Sequence, residues 1–479
     1  MLKINEINKE KKERPEKILS IGEGNFLRAF SCFLVDVMNE KGIYDGNIVL
    51  CQPIKDGKCD IINAQNGLYT VIERTAENGK EVEQTRVIKS VSRCINPYLS
   101  FEEFLNVGRS PDLEVIISNT TEAGIAFCSS DKFADIMESS YPAKLTRLLY
   151  ERFCTFKTYG GVLILPVELI DSNGSKLKEC VKEYIRLWNL PESFSAWLDK
   201  ECYFANTLVD RIVSGYPKND AERIFEQLGY EDLLLDAAEP FFFWAIEAPK
   251  DMADIFPAEK TGLDIIFTTD ITPYKTRKVR ILNGAHTLSV LAAFLFGHNT
   301  VFEMMSDSVF EAFIENTLKE EIIPFINLPD DEKSAFAKAV IERFKNPFLG
   351  HRLIDISLNS VSKYKARCLP SVLDYTKEKG FAPPNLSFSL AALLKFYDGK
   401  WENKEFTAFR NGEKYKISDD KKVLEFIEKS DINTILSNKD LWGMDLRDIP
   451  EFAEKVEAAY KDIEKHGIYK AVSLRIKQF

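Results

Sequence analysis

The chain has 479 residues, of which 45% are hydrophobic and 12% aromatic, and it carries a formal net charge of −11. This apolar content excludes general disorder, and the length exceeds what one hydrophobic core usually fills, so we expect two domains or more. The acidic balance disfavours a binder of nucleic-acid phosphates, which needs a basic surface, but it allows a site that is locally basic.

The N-terminal segment, MLKINEINKEKKERPEK, is charged and has no apolar core, so it does not resemble a secretion signal. The most apolar runs, such as GGVLILPVELI at 160–170, are too short to span a bilayer. The nine cysteines are scattered and form no C-x-x-C pair, which favours free thiols in a reducing cytoplasm over a disulfide framework or a zinc site. We therefore expect a cytoplasmic protein that has no metal site and no membrane or nucleic-acid partner.

The first part of the chain alternates strand and helix patterns. The stretch KILSIGEGNFLRAFSCFLVDVMNEKG, at 17–42, predicts a short buried strand, a turn with two glycines, and a helix with apolar residues every three to four positions. Further strands are predicted at 47–54, 67–74, 85–94, 113–125 and 160–170, and a helix that bends near Pro142 is predicted at 131–153. Strands that are apolar throughout and alternate with helices favour a parallel sheet covered on both faces.

The pattern changes beyond about residue 275. Segments such as RILNGAHTLSVLAAFLFG and EFAEKVEAAYKDIEKH have the periodicity of helices. We therefore predict an α/β domain at 1–274 and a mainly α-helical domain at 275–479.

The glycines of the first turn, Gly22 and Gly24, could hold a dinucleotide. They let the backbone turn tightly and approach a ligand, and the N-terminus of the following helix offers free N–H groups to a pyrophosphate. The fingerprint for such sites expects a third small residue at position 27, where this chain has Leu27. An ordinary strand-to-helix turn is therefore the alternative interpretation.

Two other strand ends bear on the same site. The segment IISNTTEAGI places Thr120 and Glu122 after a buried strand, where they could face a nicotinamide ribose, although a capped helix start explains them as well. The second strand ends in CQPIKDG, with Gln52 where a ribose-binding carboxylate is expected. This stretch leaves the choice between NAD and NADP open.

The segment KVRILNGAHTLS, at 278–289, combines an amine, an amide and an imidazole. At about 100° per residue, Lys278, Asn283 and His286 fall within an arc of about 140° at the start of a predicted helix. In the reduction of a ketone, Asn283 could donate to the developing alkoxide, and Lys278 could deliver the proton if its pKa were lowered. The alternative interpretation is a surface lysine, a helix cap and a core histidine.

Four motifs, SIGEGNFLRAF, SNTTEAGI, FANTLVDRI and KVRILNGAH, resemble in order and spacing those of the polyol-specific long-chain dehydrogenases, also called the mannitol dehydrogenase family. The resemblance covers about residues 17–375. It implies a Rossmann-like N-terminal domain and a helical C-terminal domain, with the active site between them. It also implies metal-independent hydride transfer with NAD, in a monomer or a small homo-oligomer.

The resemblance also implies roles for individual residues. Lys278 would be the catalytic acid and base, Asn283 and His286 would contact substrate and oxyanion, and Asp210 would lie near the substrate. NAD would be contacted from the glycine turn and from the end of the 113–125 strand, by Ile21, Gly22, Gly24, Asn25, Phe26, Arg28, Thr120 and Glu122.

The chain departs from the family pattern at two positions. Leu169 stands where mannitol-type enzymes have an asparagine of the oxyanion hole, and Asp355 stands where they have an arginine. A plain polyol is therefore a less favoured substrate.

The segment HRLIDISLNSVSKYKARCLP, at 351–370, carries cations that could bind the carboxylate of a hexuronate. Lys363 is the first candidate, because it matches a family lysine near the site, and Arg352 and Arg367 follow. A solvated basic face is the alternative interpretation. We expect a hexuronate and its aldonate as small-molecule substrates. The rival hypotheses are a reductase of a different hexuronate, a polyol dehydrogenase, and a non-catalytic sensor of nucleotides or sugar acids.

Overall fold

The computed structural model describes residues 1–7, 10–77, 80–121, 123–134 and 138–476. The chain divides into two compact units, Met1–Ile271 and Thr272–Phe479. The domain boundary expected after residue 274 falls within the first helix of the second unit, Thr272–Arg277.

The strands of the first unit, in chain order, are β1 (Leu2–Lys3), β2 (Glu16–Ile21), β3 (Asn47–Cys51), β4 (Tyr69–Glu77), β5 (Lys80–Ile88), β6 (Val91–Ile95), β7 (Val115–Ser118), β8 (Leu163–Pro166), β9 (Tyr203–Phe204), β10 (Asn206–Asp210), β11 (Val213–Gly215), β12 (Tyr230–Glu231), β13 (Asp236–Ala238), β14 (Phe243–Glu247) and β15 (Asp264–Thr268). Its α-helices are α1 (Ile4–Ile7), α2 (Asn25–Leu27), α3 (Phe33–Glu40), α4 (Cys59–Ala64), α5 (Phe101–Arg109), α6 (Tyr141–Phe156), α7 (Asn173–Leu187), α8 (Glu192–Glu201), α9 (Ala221–Leu228) and α10 (Met252–Ile255). A π-helical turn, Arg28–Cys32, joins α2 to α3, and a 3-10 turn, Ala258–Thr261, precedes β15.

A six-stranded parallel sheet lies at the centre of the first unit. Its strand order is β6-β3-β2-β7-β8-β9, and each neighbouring pair runs parallel. The middle strands are buried at most positions, and their side chains enter two separate hydrophobic cores, one on each face. The prediction of a covered parallel sheet is confirmed. Because the strands are parallel, the carboxyl ends of β2, β3, β7 and β8 lie along the same edge.

The strands predicted at 113–125 and 160–170 are shorter, at Val115–Ser118 and Leu163–Pro166, and two further predicted elements differ in extent. The strand predicted at 85–94 is two strands, because β5 pairs antiparallel with β4 whereas β6 joins the parallel sheet. Ser90 lies buried between them, and its hydroxyl donates to the Cys32 carbonyl at 2.8 Å. The helix predicted from residue 131 begins at Tyr141, with Pro142 in its first turn, where the missing N–H of proline costs nothing.

The other strands of the first unit form smaller sheets in the orders β11-β13-β4-β5 and β10-β14-β15, with a separate β1-β12 pair. In the second of these sheets β10 runs antiparallel to β14, and its last residue, Asp210, lies opposite Phe243.

The second unit is mainly helical, as predicted. Its α-helices are α11 (Thr272–Arg277), α12 (Gly284–Phe296), α13 (Val301–Ser306), α14 (Ser308–Thr317), α15 (Asp330–Phe344), α16 (Leu353–Ile356), α17 (Ser360–Arg367), α18 (Leu369–Lys379), α19 (Pro384–Phe396), α20 (Lys421–Glu428), α21 (Ile432–Ser437), α22 (Lys439–Trp442), α23 (Phe452–His466) and α24 (Ile468–Ile476). It also has π turns at Lys278–Asn283 and Leu318–Ile322, 3-10 turns at Ile323–Phe325, Pro347–Leu349 and Leu446–Asp448, and an antiparallel sheet of β16 (Lys400–Glu402), β17 (Glu405–Arg410) and β18 (Glu413–Lys416).

The central helix of the second unit runs without a break from Thr272 to Phe296, through α11, a π turn and α12. By length and composition alone this helix could cross a membrane, although no single apolar run in the sequence is that long. However, 67% of an 18-residue apolar window of this helix is buried, as expected for the core helix of a packed protein.

Candidate functional site

The glycine turn follows β2 at the carboxyl edge of the parallel sheet. Gly22 has a φ of +129°, a conformation that favours glycine, and its N–H donates to the Cys51 carbonyl at 2.9 Å. A Cβ atom on Gly22 would lie 2.6 Å from Leu27 Cδ1 and 3.3 Å from the Asn119 carbonyl oxygen. Leu27, the residue that departs from the fingerprint, therefore fills the space that a side chain at position 22 would need.

Gly24 has a different part in the turn. Its φ is −66°, which any residue can adopt, and a Cβ atom there would meet nothing within 4 Å. Gly24 is exposed and immediately precedes the helical run that begins at Asn25 and ends at Glu40. Open space above a backbone that leads into a helix N-terminus is what a pyrophosphate requires, so the turn fits a dinucleotide.

Arg28 lies beneath this turn rather than at its surface. Its side chain is fully buried, and its guanidinium donates to the Leu234 carbonyl at 2.5 Å and to Asn25 Oδ1 at 2.6 Å, with Asp236 at 3.4 Å. The predicted direct contact of Arg28 with NAD is therefore corrected to a supporting role, because no part of the side chain is accessible. Asn25, which Arg28 holds, and Phe26 are half-buried and lie at the turn itself.

Thr120 is fixed at the end of β7 by a buried carboxylate. Its N–H and hydroxyl donate to Glu168 Oε1 at 2.9 and 3.0 Å, and the Ser118 hydroxyl donates to Oε2 at 3.1 Å. Burial raises the pKa of Glu168, while these donors act in the opposite direction. The ends of β7 and β8 are thereby joined at the same sheet edge as the glycine turn.

The other two predicted cofactor contacts are Ile21 and Glu122. Ile21 ends β2 and is 4% exposed, so its side chain belongs to the core, and its carbonyl accepts a hydrogen bond from the Asn119 N–H at 3.1 Å. Glu122 lies outside the described residues.

Lys278 and Asn283 lie in the central helix of the second unit. The prediction that this helix starts near Lys278 is wrong, because it begins at Thr272, and Lys278–Asn283 form a π turn rather than α-helix. A π turn contains one residue more than an α turn, so two residues five positions apart come closer to the same side of the helix than the predicted arc of about 140°. Both side chains are half-buried.

His286 follows the π turn and has aromatic and basic neighbours. Its ring stacks on Phe344 with the centroids 4.1 Å apart, and it lies 6.2 Å from the His351 ring. Its Nε2 atom is buried and has no hydrogen-bond partner within the described part of the chain. Its pKa is lowered well below 6.5, by burial first and then by the neighbouring groups His351, Arg367, Arg343 and Lys363. We call these four residues the basic cluster.

Two members of the basic cluster, Lys363 and Arg367, lie four residues apart and therefore on one face of α17. Lys363 Nζ donates to the Ile356 carbonyl at 2.8 Å, and the pKa of Lys363 is lowered by burial and by the charge of Arg367. Arg367 Nη1 lies 3.4 Å from Oγ1 of Thr287, the residue after His286, and burial lowers the pKa of this guanidinium as well. Both cations thus belong to the surroundings of His286.

The remaining predicted residues have other environments. Arg352 is 65% exposed and its Nε lies 3.8 Å from the exposed carboxylate of Asp355. Asp210, at the end of β10, is 5% exposed, and the adjacent Arg211 is buried with a hydrogen bond of 2.7 Å to the Ala29 carbonyl. Leu169, the departure from the family pattern, is 64% exposed just beyond β8.

Glu168 and Arg343 were not predicted as site residues. The carboxylate of Glu168 stands out in LPVELI, since an acidic residue in an apolar run needs buried donors. Arg343 lies in α15, outside the segment at 351–370 that holds the other members of the basic cluster, and no local pattern connects it to His286. The nine cysteines are free thiols, and the described residues contain no cluster of three or more His, Cys, Asp or Glu side chains suited to a metal ion.

Comparison with known proteins follows the same division of the chain. Residues 16–258 match the model of the mannitol dehydrogenase Rossmann domain, and residues 270–464 match that of the mannitol dehydrogenase C-terminal domain. The chain is 42% identical over 478 residues to an altronate oxidoreductase of Yersinia enterocolitica, and the alignment covers 96% of this chain and 97% of that protein. It is 43% identical over 474 residues to an altronate oxidoreductase of Escherichia coli, with 96% of each chain covered.

Two solved structures share the fold at 21% sequence identity. A mannitol 2-dehydrogenase of Pseudomonas fluorescens, in a ternary complex with NAD and D-mannitol, has a TM-score of 0.69 and covers 98% of this chain and 95% of its own. A D-sorbitol dehydrogenase in substrate-free form has a TM-score of 0.81 and covers 98% and 100%. Because both family models match and relatives above 40% identity span nearly the whole chain, this protein belongs to the mannitol dehydrogenase family and is an oxidoreductase that acts on CH–OH groups.

Proposed function

We propose that this protein is an NAD-dependent tagaturonate reductase, which reversibly reduces D-tagaturonate to D-altronate in hexuronate catabolism in the cytoplasm. The observation that carries the proposal is the 42–43% identity, over 96% of the chain, to proteins named altronate oxidoreductase. The basic cluster around His286 supports the same choice of substrate, because a hexuronate carries a carboxylate and a plain polyol does not.

The glycine turn of the first unit is the proposed NAD site. Gly22 shapes the turn, Gly24 leaves the backbone open to a pyrophosphate, and Asn25 and Phe26 lie beside it. Thr120, which Glu168 holds at the same sheet edge, is proposed as a contact to the nicotinamide half. When bound, NADH supplies the hydride that reduces the ketone carbon.

Lys278 is the proposed proton donor for the alkoxide oxygen that develops as the ketone is reduced. The lysine is half-buried, and the π turn brings Asn283 towards the same side of the helix. The Asn283 amide can donate a hydrogen bond to this oxygen without titrating. In the reverse oxidation Lys278 accepts the proton, so oxidation is favoured at higher pH, where the amine is more often neutral.

His286 is the proposed third contact to the substrate. Its lowered pKa keeps the imidazole neutral, so it donates or accepts one hydrogen bond but adds no charge. The basic cluster supplies the charge instead, and within it we rank Lys363 first for the substrate carboxylate, followed by Arg367. Arg352 ranks below both, because its side chain is exposed and close to Asp355. Asp210 is proposed as a polar neighbour of the substrate.

The test is a panel of substrates followed by absorbance of the nicotinamide. Tagaturonate, fructuronate and fructose are each offered with NADH, and mannitol with NAD, at matched concentrations. We expect turnover of tagaturonate to exceed that of the other three by at least a factor of ten. Preference for fructuronate, or for the neutral sugars, would reassign the substrate within the family, whereas cofactor binding without turnover of any substrate would favour a sensor.

A further inference from the structure

The end of β3 lacks the acidic residue that dinucleotide sites use to bind the adenosine ribose. Gln52 stands there, and its amide is engaged within its own loop. Its Nε2 donates to the carbonyls of Ile54 and Lys55, both at 2.9 Å, and its Oε1 accepts from the Cys59 N–H at 3.2 Å. Gln52 therefore closes the loop at 52–59 and does not take the place of the missing carboxylate.

A carboxylate nevertheless reaches this position, from the glycine turn. Glu23 lies between Gly22 and Gly24, and its Oε1 accepts a long hydrogen bond of 3.4 Å from the Lys58 N–H. A Cβ atom on Gly57 would lie 2.4 Å from the same Oε1 atom and 2.5 Å from the side-chain amide of Gln52. The carboxylate thus lies against the loop that follows β3, beside the Gln52 side chain.

The surroundings of Glu23 suit hydroxyl groups better than a further anion. The residue is 7% exposed, so a ligand group that meets its carboxylate is largely removed from water. A carboxylate accepts several hydrogen bonds, so the long bond from the Lys58 N–H and the contact with the backbone of Glu23 itself leave lone pairs for a ribose diol. A phosphate on that ribose would place a second negative charge beside the first, in a setting where screening is weak.

Lys58 is the cation that could oppose this effect. Its Nζ lies 3.2 Å from Asn25 Oδ1, and its pKa is lowered by burial and by the charge of Arg28. The amine thus lies against Asn25 in the turn, where a pyrophosphate is expected. Its hydrogen bond to Glu23 comes from the backbone N–H, and its charge also favours the ionised form of the Glu23 carboxylate.

We propose that Glu23 is the residue that selects NAD over NADP in this protein, by binding the adenosine ribose hydroxyls from within the glycine turn. The inference rests on the proposed function only in that the turn holds a dinucleotide. It assigns the binding of the adenosine ribose to the residue between the two glycines, because no acidic residue stands at the end of β3.

The experiment measures binding of NADH and NADPH separately, by titration of the intrinsic tryptophan fluorescence of the full chain, with no sugar present. Glu23→Gln removes the charge and keeps the shape. We expect the ratio of the NADPH to the NADH dissociation constant to fall at least about tenfold, because the like-charge repulsion is gone. The matched control is Asp56→Asn, which removes an exposed carboxylate from the same loop and should leave the ratio unchanged.

The outcomes distinguish a failure of the role proposed for Glu23 from a failure of the proposed function. An unchanged ratio in folded Glu23→Gln overturns the inference while the proposed function stands. If wild-type protein binds neither nucleotide, the proposed function itself fails. Glu23→Ala serves as a second variant, and if neither variant folds, as judged by circular dichroism and melting temperature, the carboxylate is a structural element of the turn and the inference is overturned.

Discussion

The glycine turn of the first unit and the basic cluster of the second unit both bury charged side chains, but they balance the charge differently. Around the turn, Arg28 lies against Asp236, and Glu168 receives hydrogen bonds from Ser118 and Thr120. In the basic cluster, Arg343, Lys363 and Arg367, together with the imidazole of His351, whose pKa is itself lowered, surround the neutral ring of His286. Each lowers the pKa of His286, and the charge of Arg367 also disfavours the charged form of Lys363.

This difference suits the buried charges around the turn to a structural role and those of the basic cluster to ligand binding. A buried charge that is paired and hydrogen-bonded stabilises one conformation of the backbone around it. Cations that destabilise one another are stabilised by an anion that arrives from solution, and perturbed titratable groups are enriched at functional sites for this reason. The turn is thus built before its ligand binds. In the cluster, the charges of Arg367 and Asp419 act on the pKa of Lys363 in opposite directions, and a substrate carboxylate would act in the same direction as Asp419.

The largest effect is expected at Lys278, where a substitution should lower turnover without changing the affinity for the cofactor. Lys278→Ala removes the proposed proton donor, so turnover of tagaturonate should fall by roughly 10²–10⁴-fold. The dissociation constant for NADH, measured by fluorescence, should stay near the wild-type value, because the glycine turn is untouched. Lys377→Ala, an exposed lysine of α18, is the control for loss of a positive charge. Turnover retained in Lys278→Ala would remove this lysine from the mechanism.

The next largest effect is expected within the basic cluster. Lys363→Met keeps the length of the side chain but removes its charge, and a hydrogen bond to a charged group is worth about 1.5–3 kcal/mol. We expect KM for the hexuronate to rise roughly ten- to a hundredfold, with little change in kcat or in any residual activity on fructose.

The matched control for Lys363 lies on the same helix. Lys365→Met removes the same charge two residues later in α17, at a position that lines a groove with Asp420 and Asp440 and is not among the groups that lower the pKa of His286. It should leave KM within about twofold of wild type, as is usual for a substitution away from a site. Equal effects of the two substitutions would indicate a general electrostatic field rather than a carboxylate site at Lys363.

The parallel sheet could be predicted from the sequence because the patterns that indicate it are local and recur along the chain. Apolar strands, turns and helices follow one another in β2, β3, β7 and β8, and each can be recognised without its neighbours. The prediction failed at 85–94, because the change from one sheet to another at Ser90 depends on strand pairing and not on composition. The sequence also predicts a regular α-helix over Lys278–Asn283, because nothing in the residue types distinguishes a π turn from an α turn.

The site residues divide in the same way. Gly22, Gly24 and Lys278 could be named from motifs, because each lies in a short segment with a chemical purpose. The membership of Arg343 in the basic cluster comes from packing of α15 beside α12, and the burial of Arg28 comes from contacts with residues some two hundred positions away. Such contacts are fixed by the tertiary fold, so no local pattern carries them.

The glycine turn itself provides the third prediction, in which two similar substitutions should behave differently. Gly22→Ala forces a Cβ atom against Leu27 and strains a positive φ, so we expect a loss of about 1–3 kcal/mol in the free energy of unfolding. Gly24→Ala meets no neighbour, so its melting temperature should stay at the wild-type value, while its methyl group occupies the space proposed for the pyrophosphate. Its NADH affinity should fall several-fold, and unchanged affinity would place the cofactor elsewhere.

The smallest effect concerns acid stability and tests whether burial and the basic cluster keep His286 neutral. The pKa of His286 is lowered in the folded protein, so between that value and about 6.5 the unfolded chain binds a proton that the folded chain does not. The free energy of unfolding should therefore decrease as the pH falls below about 6.5, and His351, whose pKa is also lowered, contributes in the same direction. His286→Phe keeps a ring against Phe344 but cannot titrate, so the loss of melting temperature between pH 7.5 and pH 5.5 should be smaller than in wild type by a few degrees. An identical acid slope in the variant would mean that the pKa of His286 is the same in the folded and the unfolded chain, so that neither burial nor the basic cluster shifts it.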